Sequence, residues 1–405
     1  MKTRSRPAVC IVRHDAYPED SHVRRDAETL AEAGFDVSVI ALCRAGQVRR
    51  ESLNGVAIYR LPVEHRRGGT LRYLWEYSAF FLLAFATLSV LHARKRFQIV
   101  EIDNMPDALV FCALVPKLTG ARVILFIFDN MPELLVVARG YSTRHPLVGL
   151  LQALERFSAR FADRVIVTQE MARRLVSARG VPADKLATVM NCPDEALFAS
   201  PSRLDPSRHT AAFLIVTHGL ILERFGIQVL LDALPRIAVE IPEVRVRVIG
   251  RGEYRPELEA RARRNGVQEH VEFQDWVPVE ELPSLLAEAS VGYVGMLCDL
   301  MLSNKLMEYV ALGVPVVASR WPTYQHYFPE DAVSYFAPAD PLALAAAVVS
   351  IWRDPEAARR RAARASSLYQ QYRWQVQRRT YLDVYRQLLH ATDLHELARA
   401  PSGLR

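Results

Sequence analysis

Short apolar runs alternate with amphipathic helical segments along most of the chain. Strand-like runs in the first half are Ala8–Arg13, Val37–Leu42, Val56–Leu61, Ile99–Glu101, Arg122–Phe128, Arg164–Thr168 and Leu186–Met190. A second set is Phe213–Thr217, Arg245–Ile249, Val271–Phe273, Val291–Val294 and Val314–Ala318. Strands that alternate with helices favour a parallel sheet covered on both faces. The pattern therefore predicts an α/β protein of two doubly wound halves that face a central cleft.

The polar stretch at 200–210 contains two prolines and interrupts this alternation. It predicts a linker between an N-terminal domain at 1–199 and a C-terminal domain at 211–373. Helical periodicity near 341–353, 355–370 and 374–392 closes the chain. We expect residues 374–392 to form the final helix and 393–405 to be a tail.

Composition narrows the class of protein. The chain has 405 residues, half of them hydrophobic, and a net charge of +6, which suits two folded domains and anionic ligands or an anionic membrane surface. It has no dense Lys/Arg run and no nucleic-acid-binding motif. The five cysteines are scattered without a CxxC pair, so neither a zinc site nor a disulfide framework is indicated, and a reducing cytoplasm is the simplest setting.

The longest apolar run is Ala79–Leu91, within a helix predicted at 71–94. The run is shorter than the roughly twenty residues that span a bilayer. Aromatic and basic residues flank it on both sides. A buried core helix is the favoured interpretation, and a helix that also enters the lipid interface is the alternative.

The segment Ser303–Arg320, SNKLMEYVALGVPVVASR, predicts a short helix, a glycine that ends the helix and a buried strand. Ser303 or Asn304 can cap the helix. Lys305 and Glu308 are three positions apart on it. A helix N-terminus with a lysine favours phosphate, and a carboxylate one turn later can accept two ribose hydroxyl protons. An ordinary surface helix with an ion pair three positions apart is the alternative interpretation of this spacing.

These residues resemble the GT-B glycosyltransferases of the large retaining group called family 4. The likeness is carried by 303–318 with THGLILERFGIQVLLDAL at 217–234, RVRVIGRGEY at 245–254 and VEFQDWVPVEELPSLLAEASVGYV at 271–294. DSHVRRDAETLAEAGFDVSVIAL in the first half also matches in outline. The resemblance covers nearly the whole chain and implies two Rossmann-like domains, with the last helix crossing back to pack on the first.

The resemblance also implies a donor site for a nucleotide-diphosphate sugar. Glu308 corresponds to the ribose-binding glutamate of the family. Arg224 and Lys305 would meet the diphosphate and act in catalysis. The other implied donor-binding residues are Gly219, Gly250, Gly252, Asp299 and Asn304. Lys305 is also the only lysine after Lys185 in a chain that otherwise uses arginine, which hints at a site that needs a compact charge.

Three departures from the family pattern stand out. Leu300 replaces the first glutamate of the family's pair, with Asp299 beside it. Phe225 replaces the lysine of the phosphate loop, so Arg224 and Lys305 would have to carry that charge. Phe128 replaces a histidine and leaves Asp129 as the polar, catalytic group that faces the sugar.

For the acceptor, the resemblance implies contacts from His22, Asp103 and Glu133. The expected partners are a nucleotide-sugar donor, a saccharide or lipid-linked acceptor and an anionic membrane on the cytoplasmic side, with no nucleic acid. No cofactor or metal site is expected, because positive side chains can stabilise the leaving diphosphate. A catalytically inactive scaffold of the same fold and a nucleotide-sugar epimerase are the alternatives.

Overall fold

Two parallel sheets form the cores of two units. The computed structural model describes residues 6–63, 70–198 and 212–399, so the predicted linker 200–210 lies outside the described residues. The first unit comprises Met1–Asn191 and Gln377–Arg405, and the second comprises Cys192–Val376. The prediction of two doubly wound α/β halves is confirmed.

The first unit contains an eight-stranded sheet in the order β3-β4-β2-β1-β5-β6-β7-β8. Its strands are β1 Ala8–Ala16, β2 Asp36–Leu42, β3 Arg50–Leu53, β4 Val56–Leu61, β5 Ile99–Asp103, β6 Arg122–Ile127, β7 Arg164–Val167 and β8 Leu186–Thr188. Its helices before the second unit are α1 Ser21–Glu32, α2 Thr70–Lys95, α3 Leu114–Leu118, α4 Met131–Arg139, α5 Pro146–Phe161 and α6 Glu170–Ala178. The central strands are buried on both faces, which explains their nearly continuous apolar sequences.

The second unit contains a six-stranded sheet in the order β11-β10-β9-β12-β13-β14. Its strands are β9 Leu214–Leu220, β10 Arg245–Arg251, β11 Val271–Gln274, β12 Val291–Val294, β13 Val316–Ser319 and β14 Ser334–Phe336. Its helices are α7 Glu195–Phe198, α8 Ile227–Glu240, α9 Arg255–Arg264, α10 Leu282–Ala287, α11 Asn304–Ala311, α12 Pro322–Tyr327, α13 Pro341–Arg353 and α14 Pro355–Tyr369. All of its strand pairs are parallel.

Several elements differ from the predicted ones. The pattern does not predict the short strands β3 and β14 or the helices α4 and α12. β3 pairs antiparallel with β4 at the sheet edge, where its polar side chains face solvent and leave no apolar pattern. Residues 107–118 form a 3₁₀ helix over Asp107–Ala113 followed by α3.

The last helix, α15, runs over Trp374–Arg399 and so continues through the first seven residues of the predicted tail. It packs on the first unit. The Tyr381 hydroxyl donates to Glu101 Oε1 at 2.9 Å, and Arg378 pairs with Glu32 at 2.8 Å. Burial raises the pKa of the Glu101 carboxyl well above its usual range, and the neighbouring Asp103 adds to the shift.

Helix α2 is longer than its apolar run suggested. An 18-residue window within its segment Arg72–Lys95 has a mean hydropathy of 1.6, and the segment is long and apolar enough to span a membrane, although a single such helix is weak evidence. The inner face, with Phe80, Ala84 and Leu88, is fully buried. The outer face is not, because Trp75 and Leu82 are 66% and 65% exposed. The favoured interpretation of a buried core helix is therefore correct for one face only.

The turn between β9 and α8 depends on glycine. Gly226 has φ +68°, and a Cβ built on it would lie 1.8 Å from the carbonyl oxygen of Gly295. The Gly226 carbonyl in turn accepts a hydrogen bond from the Tyr293 hydroxyl at 2.7 Å. A side chain at position 226 would therefore force the loop after β12 away from the turn.

Gly226→Ala should destabilise the protein by at least about 2 kcal/mol more than Gly266→Ala, because only the first adds a backbone clash to the strain of positive φ. Gly266 is a matched control, since it also has φ +68° but open space around its Cβ position. Urea unfolding of the two variants measures the difference. Equal free energies of unfolding would show that the close approach at Gly226 does not constrain this turn.

Candidate functional site

The structure brings most of the predicted donor residues together in the second unit. They lie at the carboxyl ends of β9 and β10 and at the start of α11, which is where ligands bind to open parallel sheets. These residues are Gly219, Arg224, Gly250, Gly252, Asn304, Lys305 and Glu308. Asp299 lies nearby in the loop after β12.

Lys305 points from α11 back to the end of β9. Its Nζ lies 4.0 Å from the centre of the Phe225 ring. A Cβ built on Gly219, which has φ +95°, would lie 3.6 Å from both Cε and Nζ of Lys305. The ammonium therefore lies against the backbone of β9 and the face of an aromatic ring. Burial lowers the pKa of Lys305 to about 8, while the nearby Glu308 opposes that shift.

Arg224 lies in the 3₁₀ turn Glu223–Phe225, close to the same ring. Its Cζ is 5.2 Å from the centre of the Phe225 ring, and its carbonyl accepts a hydrogen bond from the Leu297 amide at 2.9 Å. Its Nε is buried and has no hydrogen-bond partner among the described residues. Two cations thus lie close to the Phe225 ring. Phe225 is the residue that stands where the family pattern has lysine.

Glu308 is held by a residue that the sequence did not single out. His218 Nε2 lies 3.0 Å from Glu308 Oε2, and the imidazole packs edge-on against Tyr309 at 5.5 Å between centroids. The Tyr309 hydroxyl donates to the Val216 carbonyl at 2.7 Å, which fixes α11 to β9. The position of His218 at the end of a buried strand was the signal that could have identified it.

Gly250 and Gly252 have a structural reason to be glycine. A Cβ on Gly250 would lie 2.0 Å from the Gly219 carbonyl oxygen, and one on Gly252 would lie 2.0 Å from that of Ile221. Both residues therefore allow β9 and β10 to approach each other. Their predicted contact with a nucleotide stays a prediction.

The cap of α11 and the surroundings of Asp299 differ from what the sequence predicted. Ser303 occupies the N-cap position of α11 but makes no capping hydrogen bond with its side chain, and Asn304 is already helical. Asp299 is exposed, and its carboxylate accepts a hydrogen bond from the Thr323 amide at 3.4 Å at the start of α12. The Ser303 side chain therefore does not occupy the first amides of α11, and the Leu306 amide donates to the Ser303 carbonyl at 3.0 Å.

In the first unit, Arg13 organises the ends of β1, β5 and β6. Its guanidinium donates to the Asn104 carbonyl at 2.5 Å, pairs with Asp20 at 3.0 Å and lies 4.6 Å from the centre of the Phe128 ring. The Asn104 amide group also donates to the Asp129 carbonyl at 2.7 Å. The sequence pattern placed Arg13 at the end of the first strand, where ligand residues are expected, but gave it no specific role.

The predicted acceptor residue His22 lies beside this cluster. Its side chain is 29% exposed, and its ring lies 6.3 Å from that of Phe128. Asp20 caps α1 by accepting from the His22 and Val23 amides. Burial disfavours the Asp20 carboxylate, but the hydrogen bond from His22 and the charge of Arg13 outweigh it and lower the pKa of Asp20.

Asp103, Glu133 and Asp129 have different surroundings. Asp103 is 1% exposed, and burial raises its pKa well above the usual range although Arg13 opposes this. Glu133 is paired with Arg179, which also binds Glu155 at 2.8 Å. Burial thus favours an indirect role for Asp103, and Glu133 belongs to an ion-pair network. Half-buried Asp129 lies in the turn after β6, and its catalytic role stays a prediction.

Comparisons with known proteins identify two glycosyltransferase domains along the chain. Residues 20–192 match the glycosyl transferase 4-like domain, and residues 212–354 match the glycosyl transferases group 1 family, so the two together cover most of the chain. The chain belongs to the group 1 glycosyltransferases. It is an enzyme of the GT-B fold, and the comparisons favour neither the inactive scaffold nor the epimerase.

Two mycobacterial relatives are named phosphatidyl-myo-inositol mannosyltransferase. The Mycolicibacterium smegmatis protein is 26% identical over 380 residues, which cover 90% of this chain and 89% of that protein. The Mycobacterium leprae protein is 29% identical over 163 residues, which cover 40% of this chain but only 43% of that protein.

Solved structures agree on the fold. Sucrose-phosphate synthase from Thermosynechococcus elongatus has a TM-score of 0.78 at 20% identity, covering 95% of this chain and all of that one. Anabaena HepE, solved in complex with UDP-glucose, has a TM-score of 0.73 at 14% identity, covering 94% of this chain and 99% of that one.

Within the described residues of our structure, no group of three His, Cys, Asp or Glu side chains could hold a metal ion.

Proposed function

We propose that this glycosyltransferase moves a sugar, with retention of anomeric configuration, from a nucleoside-diphosphate sugar to a lipid-linked saccharide acceptor. In this proposal Lys305, Arg224 and the start of α11 hold the diphosphate, and Glu308 holds the ribose. No metal or organic cofactor takes part. The enzyme works at the cytoplasmic face of an anionic membrane.

The observation that carries the donor assignment is the position of Lys305. Its ammonium lies between the glycine backbone of β9 and the Phe225 ring, and it makes no ion pair or hydrogen bond with the described residues. A half-buried cation without an anionic partner is costly, and a bound diphosphate would supply that partner. The Nε of Arg224, which is buried without a hydrogen-bond partner among the described residues and lies near the same ring, supports the same assignment.

The chemistry follows from where negative charge develops. When the bond between the anomeric carbon and the diphosphate breaks, the leaving group gains negative charge. Fixed cations and helix amides aimed at that group stabilise the transition state more than the ground state. Lys305, Arg224 and the N-terminus of the α11 helix together provide this stabilisation.

The lipid-linked acceptor is supported by the names of the mycobacterial relatives, which act on a phosphatidyl-inositol lipid. In the first unit, partly exposed His22 and the half-buried Phe128 and Asp129 offer polar and aromatic groups at the carboxyl ends of the strands, where a saccharide can be positioned. Arg13 and Asn104 hold these groups in place.

Membrane contact is supported by the outer face of α2. Leu74, Trp75, Leu82 and Val90 are between 53% and 66% exposed along this face. Helix α3 packs beside α2 and adds Leu118, which is 77% exposed. Exposed Arg72, Arg94 and Arg96 lie at the two ends of α2 or just beyond it. An apolar stripe bordered by arginines fits the surface of an anionic bilayer.

The purified protein should be stabilised by one of GDP, UDP, ADP or dTDP. At a hundred times its dissociation constant, a nucleotide adds about 2.7 kcal/mol to the free energy of unfolding, which a melting curve resolves easily. Glu308→Gln should lose most of this shift, because hydrogen bonds to a charged group contribute about 1.5–3 kcal/mol.

Glu356→Gln is the control, because Glu356 is 80% exposed on α14 and lies outside the donor residues. It should keep the full nucleotide shift. If none of the four nucleotides stabilises the protein, the donor site is wrong. If Glu308→Gln shifts like the control, the ribose assignment is wrong.

The protein should float with vesicles that contain phosphatidylglycerol and should float less with neutral phosphatidylcholine vesicles. Leu82→Glu should weaken partitioning roughly tenfold or more, because burying a leucine contributes about 1.5–3 kcal/mol. Val239→Glu is the matched control, since Val239 is 80% exposed on α8 of the second unit. Equal flotation of the two variants would contradict a role for α2 in membrane binding.

A further inference from the structure

Lys305 is placed so that its charge can change when a ligand arrives. Its ammonium lies against uncharged groups, namely the Phe225 ring at 4.0 Å and the backbone of Gly219. It has no hydrogen-bond or ion-pair partner among the described residues. A lysine in such surroundings gains little from holding its proton in the empty site.

The charged and titratable groups that face Lys305 come from four elements. Glu308 lies one turn later on α11, and its Oε2 atom is 3.0 Å from Nε2 of His218 on β9. Arg224 faces it from the 3₁₀ turn, and its positive charge opposes the ammonium. Cys298, in the loop after β12, interacts with Arg224 and with the neighbouring Asp299.

The balance of these groups disfavours the charged lysine. The pKa of Lys305 is lowered to about 8, mainly by burial; Glu308 offsets part of this shift, and the charge of Arg224 adds to it. A bound diphosphate would place negative charge beside the ammonium and shift the pKa upward again. The same side chain would then hold its proton above pH 8 as well.

We propose that Lys305 takes up a proton from solvent when the donor diphosphate binds, so that donor binding and the protonation of this one amine are linked. This inference rests on the proposed donor site and adds a mode of regulation to it. A free amine binds the proton at its nitrogen lone pair, and the buffer supplies that proton. Arginine could not behave in this way, because it stays charged.

The linkage predicts in which direction, and over which pH range, the affinity for the nucleotide changes. Below about pH 8, Lys305 already carries its proton, and nucleotide binding takes up little. Above pH 8, the empty site loses the proton and the occupied site keeps it, so affinity falls as the pH rises. Between pH 8.5 and 9.5, the dissociation constant of the nucleotide should rise roughly five- to tenfold.

The test is calorimetric titration of GDP and UDP into the full chain at pH 9, in two buffers with different ionisation enthalpies. The difference in observed heat gives the protons taken up per nucleotide. The wild type should take up close to one proton. Lys305→Arg should bind with little uptake and a flat affinity from pH 8.5 to 9.5. Lys305→Met, which is neutral at every pH, should bind weakly and without uptake.

Lys185→Arg is the matched control. Burial also lowers the pKa of Lys185, but this residue lies in the first unit and binds the Ala162 carbonyl at 2.9 Å. Its uptake should equal that of the wild type.

Each outcome points to one claim. If the wild type binds a nucleotide without proton uptake, the linkage is wrong and the donor site stands. If Lys305→Arg keeps the uptake, another group such as the Cys298 thiol carries it, and the inference is overturned. If neither nucleotide binds at any pH, both the inference and the proposed function fail.

Discussion

The close approach of backbones around the carboxyl end of β9 is the constraint on which the donor site depends. Gly250 meets the Gly219 carbonyl, Gly252 meets the Ile221 carbonyl, and Gly226 meets the Gly295 carbonyl, at separations that leave no room for a Cβ. These contacts bring β10 and the loop after β12 against β9. Lys305 then lies on the backbone of Gly219, and Glu308 lies next to His218, so the polar groups of α11 face the end of the sheet.

In the proposed donor site, the phosphate-binding charge comes from a different element than the family pattern suggests. Phe225 occupies the place of the loop lysine, and the ammonium of Lys305 lies over its ring. The loss of one cation from the loop is thus matched by one supplied from α11. Because Lys305 is half-buried and Arg224 is close, the pKa of the Lys305 ammonium is lowered.

The sequence predicted the parts of the molecule that have a strong local signal. The buried strands and the helix that carries Lys305 and Glu308 were predicted because apolar periodicity and glycine stops mark them. β3 was missed because an edge strand with polar side chains has no such pattern. The pairing of His218 with Glu308 and the bonds of Arg13 with Asn104 join residues far apart in the chain, so no local signal reveals them. The exposure of one face of α2 depends on which elements cover it, which periodicity alone does not determine.

The most direct test of the central claim is a crystal structure of the protein with the nucleoside diphosphate that stabilises it. The account predicts that Lys305 Nζ leaves the Phe225 ring and lies about 2.7–2.9 Å from a diphosphate oxygen, with Arg224 on the same group. A diphosphate bound elsewhere, with Lys305 still over Phe225, would contradict the claim that α11 supplies the phosphate-binding charge.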